Sequence, residues 1–329
     1  MAGRARRGFL VAGLLLLGTL AGCSKQETSP SALCDNEGDY LVVFASDRTT
    51  TGQFDLYLYD VAAGGFRLLK DLNSSSAADS SPALSRDGQL VAFVRNPGST
   101  GGADIYMYER ISCSYVSLPG LNTAADETEP AFSGDTRQLA FVRDTLGHRR
   151  IRMMDGSSRN FVPLPGLQED EPYDDWSPSP DSTGARIAFV SDREGSPHLY
   201  LYDRTLQQVD SLKSLRDTGA RDLDPSLTPN ALYLCFASDR AGSAGGFDIY
   251  LSHLDAVPPG ATNLATLNTS ADERHPQLGH SAAYVAYQTL SPDSTGWNVR
   301  YYSLDGGVVI QPVALARVGS DVQPSVRLP

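Results

Sequence analysis

A short apolar run that recurs six times constrains this chain more than any other feature. The copies are Leu41-Val42-Val43-Phe44-Ala45, Leu90-Val91-Ala92-Phe93-Val94, Leu139-Ala140-Phe141-Val142, Ile187-Ala188-Phe189-Val190, Leu232-Tyr233-Leu234-Cys235-Phe236 and Ala283-Tyr284-Val285-Ala286-Tyr287. None alternates apolar with polar residues, so each reads as a strand buried on both faces. In an antiparallel protein, that burial requires whole sheets stacked face to face. A Tyr-rich strand follows each run after a loop, as in Leu56-Tyr57-Leu58-Tyr59, Ile105-Tyr106-Met107-Tyr108 and Leu199-Tyr200-Leu201-Tyr202. Ahead of each run lies a third strand marked by Pro82-Ala83-Leu84-Ser85, Pro130-Ala131-Phe132-Ser133, Asp174-Asp175-Trp176-Ser177, Pro225-Ser226-Leu227-Thr228, Pro276-Gln277-Leu278-Gly279 and Pro324-Ser325-Val326-Arg327. The last residues of these groups are 48, 44, 51, 51 and 48 apart. A weaker fourth strand closes the unit, as in Phe66 to Leu69 and Tyr115 to Leu118. Four short strands in just under ~50 residues describe a propeller blade. The expected fold is all-β: a six-bladed β-propeller of four-stranded blades spanning 38–329.

The phase of the repeats predicts how the ring closes. The repetitive region begins with the second strand of one unit and finishes, over Asp321 to Leu328, with the first strand of another. The two fragments complete one blade. Seating the C-terminal strand inside the first blade hides edges that would otherwise invite aggregation.

The first residues are set apart from this pattern. Arg4, Arg6 and Arg7 precede an apolar stretch from Phe9 to Leu20, which is the layout of an export signal. No later stretch reaches the roughly 20 apolar residues of a spanning helix. Leu20-Ala21-Gly22-Cys23 resembles the lipobox of bacterial lipoproteins. That resemblance implies a signal peptide over 1–22, acylation of Cys23 and membrane anchoring through several acyl chains. Residues 23–37 then form a polar tether, and Ser24 resembles an outer-membrane sorting signal, facing the periplasm or the cell surface. Removing 1–22 leaves 24 basic against 39 acidic side chains, a net of −15. So acidic a chain is unsuited to nucleic acid, which needs a concentrated positive surface. It suits a basic partner, or cations such as calcium in an acidic channel; no other cofactor is expected. Cys235 sits in an apolar run and reads as a buried hydrophobe. Cys34 and Cys113 flank strands of neighbouring repeats and are candidates for a disulfide in an exported protein.

Several repeats carry a wider resemblance. Pro130-Ala131-Phe132-Ser133, Trp176-Ser177-Pro178, Ser85-Arg86-Asp87-Gly88-Gln89-Leu90-Val91-Ala92-Phe93 and Ala188-Phe189-Val190-Ser191-Asp192-Arg193-Glu194-Gly195 are similar to the repeat of TolB-type propellers, also described as WD40-like or PD40 repeats. The resemblance covers about residues 38 to 329 and implies the fold and its mode of closure. It leaves function open, because such rings serve binding proteins, components of complexes and regulatory domains of peptidases. This chain has no room for the extra N-terminal α/β domain of the family's periplasmic TolB, whose propeller mouth binds a peptidoglycan-associated lipoprotein.

Candidate site residues gather at the end of the ring where the chain enters each Pro-marked strand. Acids recur three residues before Pro, at Asp79, Glu127, Asp222, Glu273 and Asp321, with Glu169 or Glu171 as the equivalent in the remaining unit. They read either as an acidic rim or as caps on backbone N–H groups between blades. Nearby arginines, among them Arg48 and Arg240, read as ion-pair partners of Asp55 and Asp248 or as free carboxylate binders. Residues that break the repeat are not demanded by the fold: Glu171, Tyr173, Asp174 and Trp176 in one loop, His198 and Arg150 at strand starts, and His275 before Pro276. These would suit a basic peptide anchored on Tyr173 or Trp176, or a sugar. The leading expectation is a membrane-anchored binding or scaffold module for a cell-envelope protein or peptide, or for a peptidoglycan-associated partner. The alternative is a glycan-active lyase or hydrolase using members such as Glu127, Glu171, Glu273 and His275. No nucleophile elbow, zinc-protease or nucleotide-binding motif occurs in the sequence.

Overall fold

The computed structural model describes residues 38, 40–98, 102–167, 171–290, 296–310 and 320–327, all within one compact unit, Cys34–Pro329. Cys23, Cys34 and Glu169 lie outside the described residues.

Six antiparallel sheets follow one another along the chain, each built outward in sequence order. Blade 1 is the composite. Asp321–Arg327 forms its inner strand, followed by Leu41–Thr50, Gln53–Asp60 and Gly65–Arg67. The C-terminal strand pairs antiparallel with the first, Leu41 opposite Arg327 and Ser46 opposite Asp321. The expected closure is therefore present.

The second strand of every blade is the apolar run, and its central ring is fully buried: Phe44, Phe93, Phe141, Phe189, Phe236 and Tyr287. Burying such a ring stabilises the fold by about 1.5–3 kcal/mol. The Tyr of the third strand stacks against it, with ring centroids 6.1 Å apart for Phe44–Tyr57 and 5.7 Å for Phe189–Tyr200. The Tyr stripe is thus packing between strands. Cys235 is fully buried, and burial pushes its thiol pKa up. Cys113 is disulfide-bonded.

Two details depart from expectation. Blade 3 has three strands, with the fourth reduced to a bridge between Met154 and Phe161. Val162 N–H still donates to Met153 O at 2.8 Å. Pro163 and Pro165 follow, and a residue without an N–H cannot extend the ladder. In blade 4 the inner strand is Asp175–Pro180, with Asp175 opposite Ser191 as Asp79 is opposite Arg95. Pro178, not the group Asp174 to Ser177, therefore matches Pro82. The equivalent acid is Asp175, not Glu169 or Glu171.

Every inner strand carries a β-bulge at the residue immediately before its Pro. These residues are Ser81, Glu129, Ser177, Asp224, His275 and Gln323, with φ of 47°, 52°, 49°, 54°, 48° and 52°. A positive φ in a residue with a Cβ costs of the order of 1 kcal/mol or more. Its repetition in all six blades makes it part of the ring's construction. A bulge also re-aims the side chain it carries.

Candidate functional site at the propeller channel

The six bulge residues surround a central cavity of about 850 Å³ that all six inner strands line. The cavity runs from the long loops leading into the inner strands (the loop end) to the short Gly turns that follow them (the turn end). The bulge leaves a backbone N–H without a ladder partner, and every second blade supplies one. Gln323 Oε1 accepts from Ser81 N–H at 2.8 Å, Glu129 Oε2 from Ser177 N–H at 2.6 Å, and Asp224 Oδ2 from His275 N–H at 3.2 Å. Gln323, Glu129 and Asp224 therefore serve the ring, whereas Ser81, Ser177 and His275 leave their side chains to the channel.

Charge in the channel is uneven. Burial pushes the Glu129 carboxyl above its ordinary pKa, outweighing the Ser177 N–H and the nearby Arg149. Burial also pushes Asp224 up, but His275 and Arg274 outweigh it and hold that carboxyl low. Arg274 Nε donates to Asp224 Oδ2 at 2.7 Å, and His275 Nδ1 lies 3.5 Å from Asp224 Oδ1. His275 is held below its ordinary pKa by burial, yet 35% of its side chain stays exposed toward the cavity. At the loop end, Arg149 stacks over the Trp176 ring at 3.9 Å. At the turn end stand Tyr40, Arg86, His280 and Arg327.

The acids three residues before Pro do not form an open rim. Asp79, Glu127, Asp222, Glu273 and Asp321 are all at most 3% exposed. All but Glu273 belong, together with Asp175, to a repeated node in which the acid binds an arginine lying over the blade's aromatic rings. The contacts are Arg95–Asp79 at 2.7 Å, Arg143–Glu127 at 2.7 Å, Arg193–Asp175 at 2.8 Å, Arg240–Asp222 at 2.8 Å and Arg48–Asp321 at 2.9 Å. Arg95, for example, lies over Phe93, Tyr106 and Tyr115. Arg48 and Arg240 thus pair with the inner-strand acid of their own blade and not with Asp55 and Asp248. The reason is register: Ser46 and Ser238 stand opposite those acids, and each arginine folds back over its serine. Blade 6 has Thr289 where the arginine would stand. There Glu273 accepts from the Thr269 and Thr289 hydroxyls at 2.6 and 2.9 Å, and burial raises its pKa. Among the described residues, no three His, Cys, Asp or Glu side chains stand close enough to hold a metal ion.

The remaining repeat-breaking residues divide. Trp176 and His275 line the channel. His198 lies 3.3 Å from Asp222 and supports that blade's node. Tyr173 sits under Arg193 at 4.6 Å, and the carbonyls of Tyr173 and Glu171 accept from the buried Arg150. Asp174 binds Arg149 Nε at 3.0 Å and His148 at 3.3 Å; burial pushes its pKa up, but these bonds outweigh it. Glu129, Asp224 and Arg149 were not singled out from the sequence. The available signal was the residue before each Pro, where identity varies while the backbone repeats.

No protein-family model matches the chain, and no curated relative does. Solved structures do. TolB from Acinetobacter baumannii superposes with a TM-score of 0.67 at 21% identity, covering 89% of this chain and 68% of that one. A putative TolB from Agrobacterium tumefaciens gives 0.59 at 14% identity, covering 83% and 87%. The fold is a TolB-type six-bladed propeller. An oligogalacturonate lyase in complex with manganese superposes with a TM-score of 0.57 at 12% identity, covering 85% of this chain and 75% of that one. At these identities the likeness concerns the fold.

Proposed function

We propose that the protein is an extracytoplasmic, lipid-anchored binding propeller that recognises a protein partner of the cell envelope, peptidoglycan-associated in the leading case, at the loop end of its channel. The observation that carries this reading is the channel itself. The bulge of every blade sets one residue at a single cavity of about 850 Å³, and the six positions carry five residue types, so chemistry varies there while the backbone repeats. Anchoring rests on the Cys23 sequence context. The first described strand enters blade 1 at Leu41, opposite Arg327 on the turn end of the ring. Among the described residues no helix is long and apolar enough to cross a membrane. The test is cross-linking in intact cells followed by identification of what is joined to the ring. An envelope protein is the expected product; a glycan fragment with no protein would overturn the reading.

A second reading, a glycan lyase or hydrolase, draws on His275 beside Asp224 in the cavity and on the likeness to the lyase. Its depressed pKa keeps the imidazole neutral and able to accept a proton at neutral pH. Release of unsaturated products from oligogalacturonate, lost in His275→Ala, would establish it; no turnover would dismiss it for that substrate.

A further inference from the structure

We propose that Arg149 is the anchor for a carboxylate carried by the partner, a step that rests on the binding reading above. The position is free of the fold. Cross-strand register makes Arg149 the counterpart of Phe54, Ala103, Pro197, Phe247 and Trp297, so blade 3 alone places a cation there. Its orientation is set from two sides. Asp174 Oδ2 accepts from Arg149 Nε–H at 3.0 Å, and the Trp176 ring centroid lies 3.9 Å from the guanidinium carbon. The side chain borders the channel, keeps 37% of its surface exposed, and neither Nη atom has a protein hydrogen-bond partner among the described residues. A stacked guanidinium with its terminal edge open is a preorganised fork for a carboxylate.

Arg274 is held in the same way, its Nε–H donating to Asp224 and its guanidinium over Phe247 at 4.4 Å, but its side chain is 23% exposed and does not line the channel. Glu129, the acid that feels the charge of Arg149, has Oε2 occupied by Ser177 N–H. Because Asp174 already offsets part of the positive charge, the site selects by geometry more than by attraction at a distance. The carboxylate comes either from an acidic side chain or from a chain terminus.

The two tryptophans, Trp176 and Trp297, supply the readout. In a Trp297→Phe background, Trp176 fluorescence is titrated with three N-acetylated tripeptides: Ala-Ala-Ala with a free carboxyl terminus, Ala-Ala-Glu amide and Ala-Ala-Ala amide. A saturable change with one or both carboxylate peptides and none with the fully amidated one is expected, and the stronger arm names the source. Arg149→Met should abolish the response and Arg149→Lys should weaken it about tenfold, both with an unchanged thermal transition. If Arg149→Met alters that transition, Arg149→Lys decides. An equal response to the amidated peptide, no saturable response, or full binding by the folded lysine variant overturns the proposal. In cells, partner capture that persists in Arg149→Met would remove the anchor and leave the binding reading standing. Absence of any partner with the wild type would remove the binding reading, while the titration still decides the anchor.

Discussion

At the scale of single residues, the chain spends its charges mainly on construction. The acid, arginine and aromatic ring of each node are buried together, and breaking such a pair strands a charge away from water. Arg95→Ala should therefore cost about 3 kcal/mol or more in a denaturant titration, because Asp79 is fully buried. A loss below about 1 kcal/mol would mean that the node is solvated. Glu129 gives a prediction of sign. Its folded pKa is raised, so its contribution to stability is fully present below the unfolded value near 4.5 and is lost as pH rises through the folded value. Glu129→Gln keeps an acceptor for Ser177 N–H and carries no charge. It should melt higher than the wild type at neutral pH, with the difference vanishing below about pH 4.5. An unchanged gap across that window would contradict the pKa direction.

At the scale of strands, legibility followed the strength of the local signal. The second strands stood out because burial on both faces forces continuous apolar runs. Phe141→Ala should accordingly cost about 3–5 kcal/mol, measured by thermal or chemical unfolding. The inner strand of blade 4 was misplaced because Pro178 and Pro180 follow Trp176 closely, so two alignments of the marker were open. Only the cross-strand register of Asp175 with Ser191 separates them. The bulge was invisible for a physical reason. A residue before proline ordinarily favours extended backbone, so nothing local announces a positive φ there. That blindness hid Glu129 and Asp224, whose positions decide what the channel presents. The acids of the nodes were visible in sequence, and their recurrence fitted caps as well as a rim; burial decides for construction.

At the scale of the molecule, the ring has no free end within the described residues, since the last strand is the inner strand of the first blade. Deleting Asp321 to Pro329 should abolish cooperative unfolding of the whole domain and not merely fray one blade; a retained single transition at the original temperature would reject closure as a determinant of stability. Closure also makes the frame rigid, which lets one cavity collect side chains from six distant stretches of sequence. The anchor expectation stands apart from the ring: Cys23→Ser should move the protein from the membrane to the soluble fraction. The most direct measurement of the channel's role is position-specific photocross-linking in cells, comparing a cross-linker at Thr128, which lines the loop half of the channel, with one at Thr262 on an outer strand. Capture of one envelope protein from Thr128 and not from Thr262 is the predicted result; equal capture from both positions, or capture from Thr262 alone, would contradict recognition through the channel.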